Sequence, residues 1–224
     1  MVNFHGRTCE KIYQMKEFRS KLFGEHDPYA NFHPMPPDMQ GWASDRPVFR
    51  EVLTELKPRF IVEVGTWKGM SAFHMANLLL DMGHRDFEII CVDTWLGSVE
   101  HWTQMYGPIH PILRNGRPQL YEQFLSNVMH RGYQDWITPL PIDSLNAAHI
   151  IKIMEFKPDL IYIDAGHEYA SVRHDLLIYS QVLRTGGYLI GDDFFHEPVK
   201  TAAFDTFGED KVIPKGEDKF VWIK

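Results

Sequence analysis

The sequence predicts an α/β fold built on an open, mostly parallel sheet with helices on both faces and an antiparallel hairpin at its C-terminal end. Three observations carry that prediction. Short runs of β-branched and apolar residues, beginning with Phe60-Ile61-Val62-Glu63-Val64, alternate with segments whose apolar residues recur at helical spacing. The first run passes through a loop bracketed by Gly65 and Gly69 into a helical segment, Ser71 to Asp81. Later runs end on acidic residues, Asp93, Asp164 and the pair Asp192-Asp193, and a doubly wound sheet gathers such strand ends along one edge, where its ligands bind.

Composition narrows the functional classes. A chain of 224 residues with 44% hydrophobic and 24% charged residues suits a soluble globular protein, read here as an N-terminal helix and loop extension over 1–44 and a single α/β domain over 45–224. The net charge is −7 and no run of Lys and Arg is interleaved with aromatics, which argues against a nucleic-acid partner. No apolar stretch has the length of a signal peptide core or a bilayer span, so neither a membrane nor a secreted location is expected, and the protein is read as cytoplasmic. Two cysteines, Cys9 and Cys91, supply no disulfide framework and no CxxC metal site.

In chain order, Ile12, Met15, Phe18, Leu22 and Phe23 predict an amphipathic helix over Lys11 to Phe23, which packs on the domain or on a second copy of the chain, so a homo-oligomer is reasonable. His26 to Trp42 is rich in Pro, Asp and Asn with Tyr29, Phe32 and Trp42 among them, a loop tied down by aromatics and placed to cover a site. Ser44-Asp45-Arg46-Pro47 starts a helix through Val48, Leu53 and Leu56 that Pro58 stops. A second strand, Phe87 to Val92, ends at Asp93, an acidic residue placed to accept hydrogen bonds from ribose hydroxyls. Thr94 to Trp136 begins irregular and aromatic, a candidate substrate wall, and becomes helical over Gln119 to His130; His101 and His110 are expected to be solvent-facing loop residues. A short strand from Trp136 to Pro139 leads to Asp143-Ser144 and a helix, for which those two residues also serve as a cap. The fourth strand, Leu160 to Ile163, ends at Asp164 with His167 three residues on; the fifth, Tyr188 to Ile190, ends at Gly191-Asp192-Asp193. Pro198 to Phe207 reads as a helix, and Lys211 to Pro214 with Lys219 to Ile223 as the closing hairpin, Trp222 packing beneath it.

The glycine spacing selects among nucleotide sites. A dinucleotide fingerprint needs G-x-G-x-x-G, whereas this loop reads Glu63-x-Gly65-x-x-x-Gly69, with a carboxylate that repels phosphate and suits an ammonium group or hydroxyls. In this it resembles class I S-adenosylmethionine-dependent methyltransferases, whose Rossmann-like sheet opens on an acidic residue followed by such glycines. If the fourth and fifth strands are neighbours, about 4.8 Å apart, Asp164, Asp192 and Asp193 crowd into one volume, which protons or a cation must neutralise. Oxygen ligands without thiolates fit magnesium, while an imidazole ligand would admit zinc or iron. Beside such a cation, neutral His167 could remove a proton from a polarised hydroxyl.

Asp164-Ala165-Gly166-His167-Glu168-Tyr169, Gly186-Gly187 and Gly191-Asp192-Asp193, together with Val92-Asp93-Thr94-Trp95-Leu96-Gly97, resemble the metal-dependent sugar O-methyltransferases of macrolide and aminocoumarin biosynthesis and related cephalosporin-hydroxylase-type proteins. The resemblance spans roughly Phe60 to Asp193. It implies a magnesium-dependent O-methyltransferase acting on a hydroxyl of a small molecule, with Asp164, Asp192 and Asp193 as metal ligands and His167 as the base. It also implies that Glu63, Gly65, Thr66, Gly69 and Ser71 hold the amino-acid part of S-adenosylmethionine, Asp93 the ribose, and Asp143 and Ser144 the adenine. A nicotinamide-dependent oxidoreductase and a non-catalytic adenosine-binding module are the competing readings.

Overall fold

A computed structural model of the chain describes residues 16–42, 44–103 and 113–224. Its centre is a seven-stranded sheet made of β1 (Phe60–Val64), β2 (Glu88–Asp93), β5 (Ile137–Pro141), β6 (Leu160–Ile163), β7 (Tyr188–Gly191), β8 (Ile213–Lys215) and β9 (Lys219–Ile223). The spatial order is β5-β2-β1-β6-β7-β9-β8; the first five strands of that order pair in parallel and the last two run antiparallel, as the sequence predicts. From β1 the chain winds outward through β2 to β5, then returns to the other side of β1 for β6 and β7. The order therefore reverses between β1 and β6, and the crevice beyond their carboxyl ends is where an open α/β sheet binds ligands.

Helices α2 (Pro47–Leu56), α3 (Met70–Asp81) and α5 (Leu120–Arg131) contribute Phe49, Leu53, Met75, Leu79 and Phe124 to the core on one face. The opposite face is covered by α1 (Glu17–Phe23), α6 (Ser144–Ile153), α7 (Tyr169–Val182) and α8 (Glu197–Phe207) through Phe18, Ile151, Leu176, Tyr179 and Ala203. Strand residues alternate between the two layers, Ile61 and Ile89 facing one and Val62 and Ile90 the other, so both faces are buried.

Several boundaries differ from the sequence expectation for local reasons. The N-terminal helix begins at Glu17, and Ile12, Met15 and Cys9 lie outside the described residues. Its first turn is held by Glu88 at the start of β2, whose carboxylate accepts from the Phe18 and Arg19 backbone N–H groups at 3.0 Å each. Neither Ser44 nor Asp45 caps α2; Arg46 occupies the N-cap position and its side chain turns instead to Asp218 at 2.6 Å, leaving Pro47 to start the helix. The predicted helix over Gln119 to His130 is α5, and Trp222 stacks on Phe207 of α8 at 4.2 Å, closing the hairpin onto the domain. A small hairpin, β3 (Leu113–Arg114) and β4 (Arg117–Pro118), was not foreseen. Its turn is Asn115-Gly116 with φ of +52° and +77°, the two positive values of a type I′ turn, but strands of two residues leave no periodicity to read. His110 and the rest of 104–112 lie outside the described residues.

The loop from His26 to Trp42 is a strap laid across α5. Tyr29 donates to the Ile137 carbonyl at 2.9 Å, the Ser126 hydroxyl and Asn127 amide accept from the Met35 and Asp38 N–H groups, and Asn127 donates to the Asp38 carbonyl at 2.7 Å. The strap then reaches the glycine loop, where Asp38 pairs with Lys68 at 2.6 Å and Gln40 accepts from the Trp67 indole at 2.9 Å. Fixed backbone hydrogen bonding, rather than aromatic packing alone, holds it. Among the described residues no helix is long and apolar enough to cross a membrane.

Candidate active site

The glycine loop closes on β6. Gly65 has φ +85°, and a Cβ there would lie 1.9 Å from the Asp164 carbonyl oxygen, so glycine is required for the loop to sit against the end of β6. Gly69, with φ +96°, forms the N-cap of α3 where a Cβ would meet the Phe73 ring at 2.6 Å. The missing side chains thus face protein, and what they permit is close approach of the loop to its neighbours. Asp93, at the end of β2, accepts from the Trp67 N–H at 2.8 Å with one oxygen and from the Trp95 N–H at 2.7 Å with the other, tying the two loops together. The Thr66 and Thr94 backbone N–H groups also lie against this carboxylate. Burial raises the Asp93 pKa against the pull of those N–H groups.

Glu63 has no exposed surface. Its carboxyl accepts from the Ser71 hydroxyl, stands 3.7 Å from the Cys91 sulfur, and supports the loop from beneath, with Thr66 also buried beside it. Burial lifts the Glu63 pKa from 4.5 to about 7, against hydrogen bonds from Ser71 and Thr66 that lower it. Because the folded value lies above the unfolded one, the contribution is complete below about pH 4.5 and is lost as pH rises through about 7. Glu63→Gln, which cannot ionise, is therefore expected to flatten the fall in stability between pH 5 and 8 by roughly 3 kcal/mol, measured as the difference between urea unfolding curves of variant and parent at each pH. An unchanged slope would mean that the carboxyl reaches solvent.

Asp143 and Ser144 serve α6. Asp143 accepts from the Asn146 N–H at 3.0 Å and the Asn146 side-chain amide at 2.7 Å, bonds that hold its pKa below the usual carboxylate value, and Ser144 donates to Asp175 of α7 at 2.6 Å. They follow β5, which is separated from β1 by β2.

At the ends of β6 and β7 the sheet assembles the acidic cluster. Asp164, His167 and Asp193 offer ligand atoms that all lie within 4.8 Å of one another, beside a small cavity also lined by Val172, Asp192 and Phe220. His167 Nε2 stands 2.8 Å from Asp193 Oδ2. That hydrogen bond, with the Asp193 charge behind it, raises the His167 pKa against partial burial. Burial opposes ionisation of Asp193, yet the His167 hydrogen bond and charge prevail and hold its carboxyl below the usual value.

Asp192 is engaged otherwise. One oxygen lies 2.7 Å from Lys219 Nζ and accepts the Asp193 N–H at 2.7 Å, and the other accepts from the Tyr162 hydroxyl at 2.5 Å. Lys219, on β9, is fully buried, its ammonium 5.5 Å from the Tyr162 ring centre and 5.8 Å from that of Phe49. Lys219 and Tyr162 were not singled out from the sequence. A lone lysine in a hairpin strand and a tyrosine in a buried run carry no signal until the β6-β7-β9 register places them beside Asp192.

This arrangement commits Lys219 to Asp192 and leaves Asp164 with no ion pair of its own among the described residues. Tyr162 has a single proton and its shorter bond is to Asp192, so its 3.0 Å contact with Asp164 is best satisfied by a proton on the Asp164 carboxyl. Burial first, then the charges of Asp192 and Asp193, push the Asp164 pKa well above its usual value. Two carboxylates and an imidazole this close together are a donor set that could hold a divalent cation.

A sheet ordered as this one is, with a glycine loop after β1 and an acidic residue after β2, defines a class I methyltransferase fold. The family described as a methyltransferase domain matches residues 62–194, more than half of the chain. An O-methyltransferase from Bacillus cereus in complex with SAH is similar in structure with TM-score 0.57 at 14% identity, over 92% of this chain and 96% of that one. The O-methyltransferase NovP matches with TM-score 0.56 at 19% identity, over 79% and 78% of the two chains, and CalS11, a calicheamicin methyltransferase, with 0.57 at 16% identity, over 79% and 76%. No curated protein matches the chain in sequence. The chain belongs to the methyltransferase-domain family and is a methyltransferase of the S-adenosylmethionine-dependent class.

Proposed function

We propose that the protein transfers the methyl group of S-adenosylmethionine to a hydroxyl oxygen of a small molecule, with a divalent cation, most simply magnesium, held by Asp164 and Asp193. The observation that carries this reading is the convergence of Asp164, His167 and Asp193 within 4.8 Å at the ends of β6 and β7, of which β6 lies next to β1 and its glycine loop. One similar solved structure is named an O-methyltransferase and another a calicheamicin methyltransferase, which is compatible with an oxygenated small molecule, a sugar among the choices, as acceptor.

The donor is read as lying across the switch-point crevice. The Gly65-to-Gly69 loop borders its amino-acid part, Glu63 and Ser71 fix that loop from beneath, and Asp93 accepts from the ribose; Asp143 and Ser144 border the adenine end. A cation, when bound by Asp164 and Asp193, would supply Lewis-acid polarisation of the acceptor hydroxyl and replace the proton on Asp164. His167, which stands beside both carboxylates, takes the hydroxyl proton. The new O–CH3 bond forms as the S–CH3 bond breaks, leaving S-adenosylhomocysteine. Because the donor is already activated, the protein's contribution is alignment. Asp192, neutralised by Lys219, acts from behind by anchoring the Asp193 backbone N–H at 2.7 Å.

His167→Ala is expected to retain S-adenosylhomocysteine affinity by calorimetry and to lose about 10²–10⁴-fold in turnover with a methyl-labelled donor. Unaltered turnover would remove His167 from the base role.

A further inference from the structure

Helix α4 (Val99–Trp102) stands between the glycine loop and the acidic cluster and buries none of its residues. His101 stacks on Trp67 of the glycine loop, ring centres 4.3 Å apart and planes inclined by 12°, while the neighbouring Glu100 is close enough to His167 for its charge to help raise the His167 pKa. The helix thus bridges the two halves of the proposed site, through a residue the sequence marked as a bystander.

The protonation of the ring follows from its partners. His101 Nδ1 accepts the Ser98 backbone N–H at 3.2 Å, and a nitrogen that accepts from a backbone amide carries no proton. In the neutral ring the proton is therefore on Nε2, and partial burial, which lowers the His101 pKa, favours that neutral form. Nε2 is enclosed and has no hydrogen-bond partner among the described residues. A buried donor without a partner carries a desolvation cost that a bound acceptor atom would remove. The face-to-face stack of Trp67 and His101, with Trp42 6.1 Å from Trp67, is an aromatic wall with one enclosed donor beside it, which an acceptor atom reaches by displacing what covers it.

We propose that His101 recognises the methyl acceptor, its Nε2–H donating to a neutral oxygen on a ring that lies against the Trp67–His101 wall. The donor molecule's carboxylate is the less suitable partner, because a neutral imidazole offers a single hydrogen bond and no compensating charge. This inference rests on the methyl-transfer reading above and adds to it a residue that sets acceptor specificity.

The test uses the full chain labelled with ¹⁵N-histidine, with magnesium and S-adenosylhomocysteine, and two probes: catechol for an aromatic diol and methyl glucoside for a sugar. The Nε2–H signal of His101, identified by its loss in His101→Phe, is expected to be unmoved by S-adenosylhomocysteine alone and to shift with one probe, which also says which ring the wall accepts. His101→Phe keeps the stack and removes the donor, so it should bind that probe roughly three- to tenfold more weakly with S-adenosylhomocysteine affinity unchanged, and His101→Gln should recover part of the loss. A signal that moves with S-adenosylhomocysteine alone, with weakened affinity for it in His101→Phe, overturns the proposal by assigning His101 to the methyl donor. No movement with either probe overturns it as well. Failure of the unmutated protein to bind S-adenosylhomocysteine at all would be seen separately by calorimetry and would remove the methyl-transfer reading along with this one.

Discussion

Lys219→Met is expected to lower the free energy of unfolding by about 3–5 kcal/mol, read from urea denaturation at neutral pH. Lys219 is fully buried and Asp192 nearly so, and their 2.7 Å contact is the charge compensation that lets Asp192 remain inside. Methionine fills a similar volume but leaves Asp192 uncompensated, close to Asp164 and Asp193. The double variant Lys219→Met, Asp192→Leu removes both charges, and pairs so replaced are often neutral or stabilising, so much of the loss should return. A single variant as stable as the parent would mean that Asp192 is neutral or reaches water.

The second large effect concerns the cation. In the parent protein, magnesium at about a hundred times its dissociation constant should add about 2.7 kcal/mol to unfolding, seen as a raised melting temperature. Asp164→Asn should abolish that response and reduce methyl transfer by roughly 10²–10³-fold, the range for loss of a pre-organised charge at a reacting centre. Without magnesium the variant should be at least as stable as the parent, because an amide removes the electrostatic burden that keeps Asp164 protonated. A parent indifferent to magnesium and chelator would refute the cation's part in the account.

The sheet was legible because its strands are unusually plain. Phe60 to Val64, Glu88 to Val92 and Leu160 to Ile163 are short apolar runs buried on both faces, each closed by glycine or aspartate, and the βα alternation leaves few ways to wind them. The acidic edge followed from the same logic, since parallel strands end together; this is why Asp164 and Asp193 could be placed side by side from sequence. Sequence could not separate the duties of Asp192 and Asp193. Adjacent residues at a strand end point in different directions, and only the antiparallel register of β9, which brings Phe220 opposite Gly191, puts Lys219 within reach of Asp192. From sequence Glu63 is expected to face a ligand, whereas the turn into α3 folds Ser71 back over it. A histidine in an aromatic loop has no pattern of its own, and the setting of His101 depends on a stacking partner more than thirty residues earlier in the chain.

The most direct measurement is anomalous diffraction from a crystal of the protein grown with manganese and S-adenosylhomocysteine. The account predicts one manganese within coordination distance of Asp164 and Asp193, with the thioether sulfur of S-adenosylhomocysteine beyond the carboxyl end of β1 and facing it. Manganese bound elsewhere, or a nucleoside lying away from the Gly65-to-Gly69 loop, would contradict it.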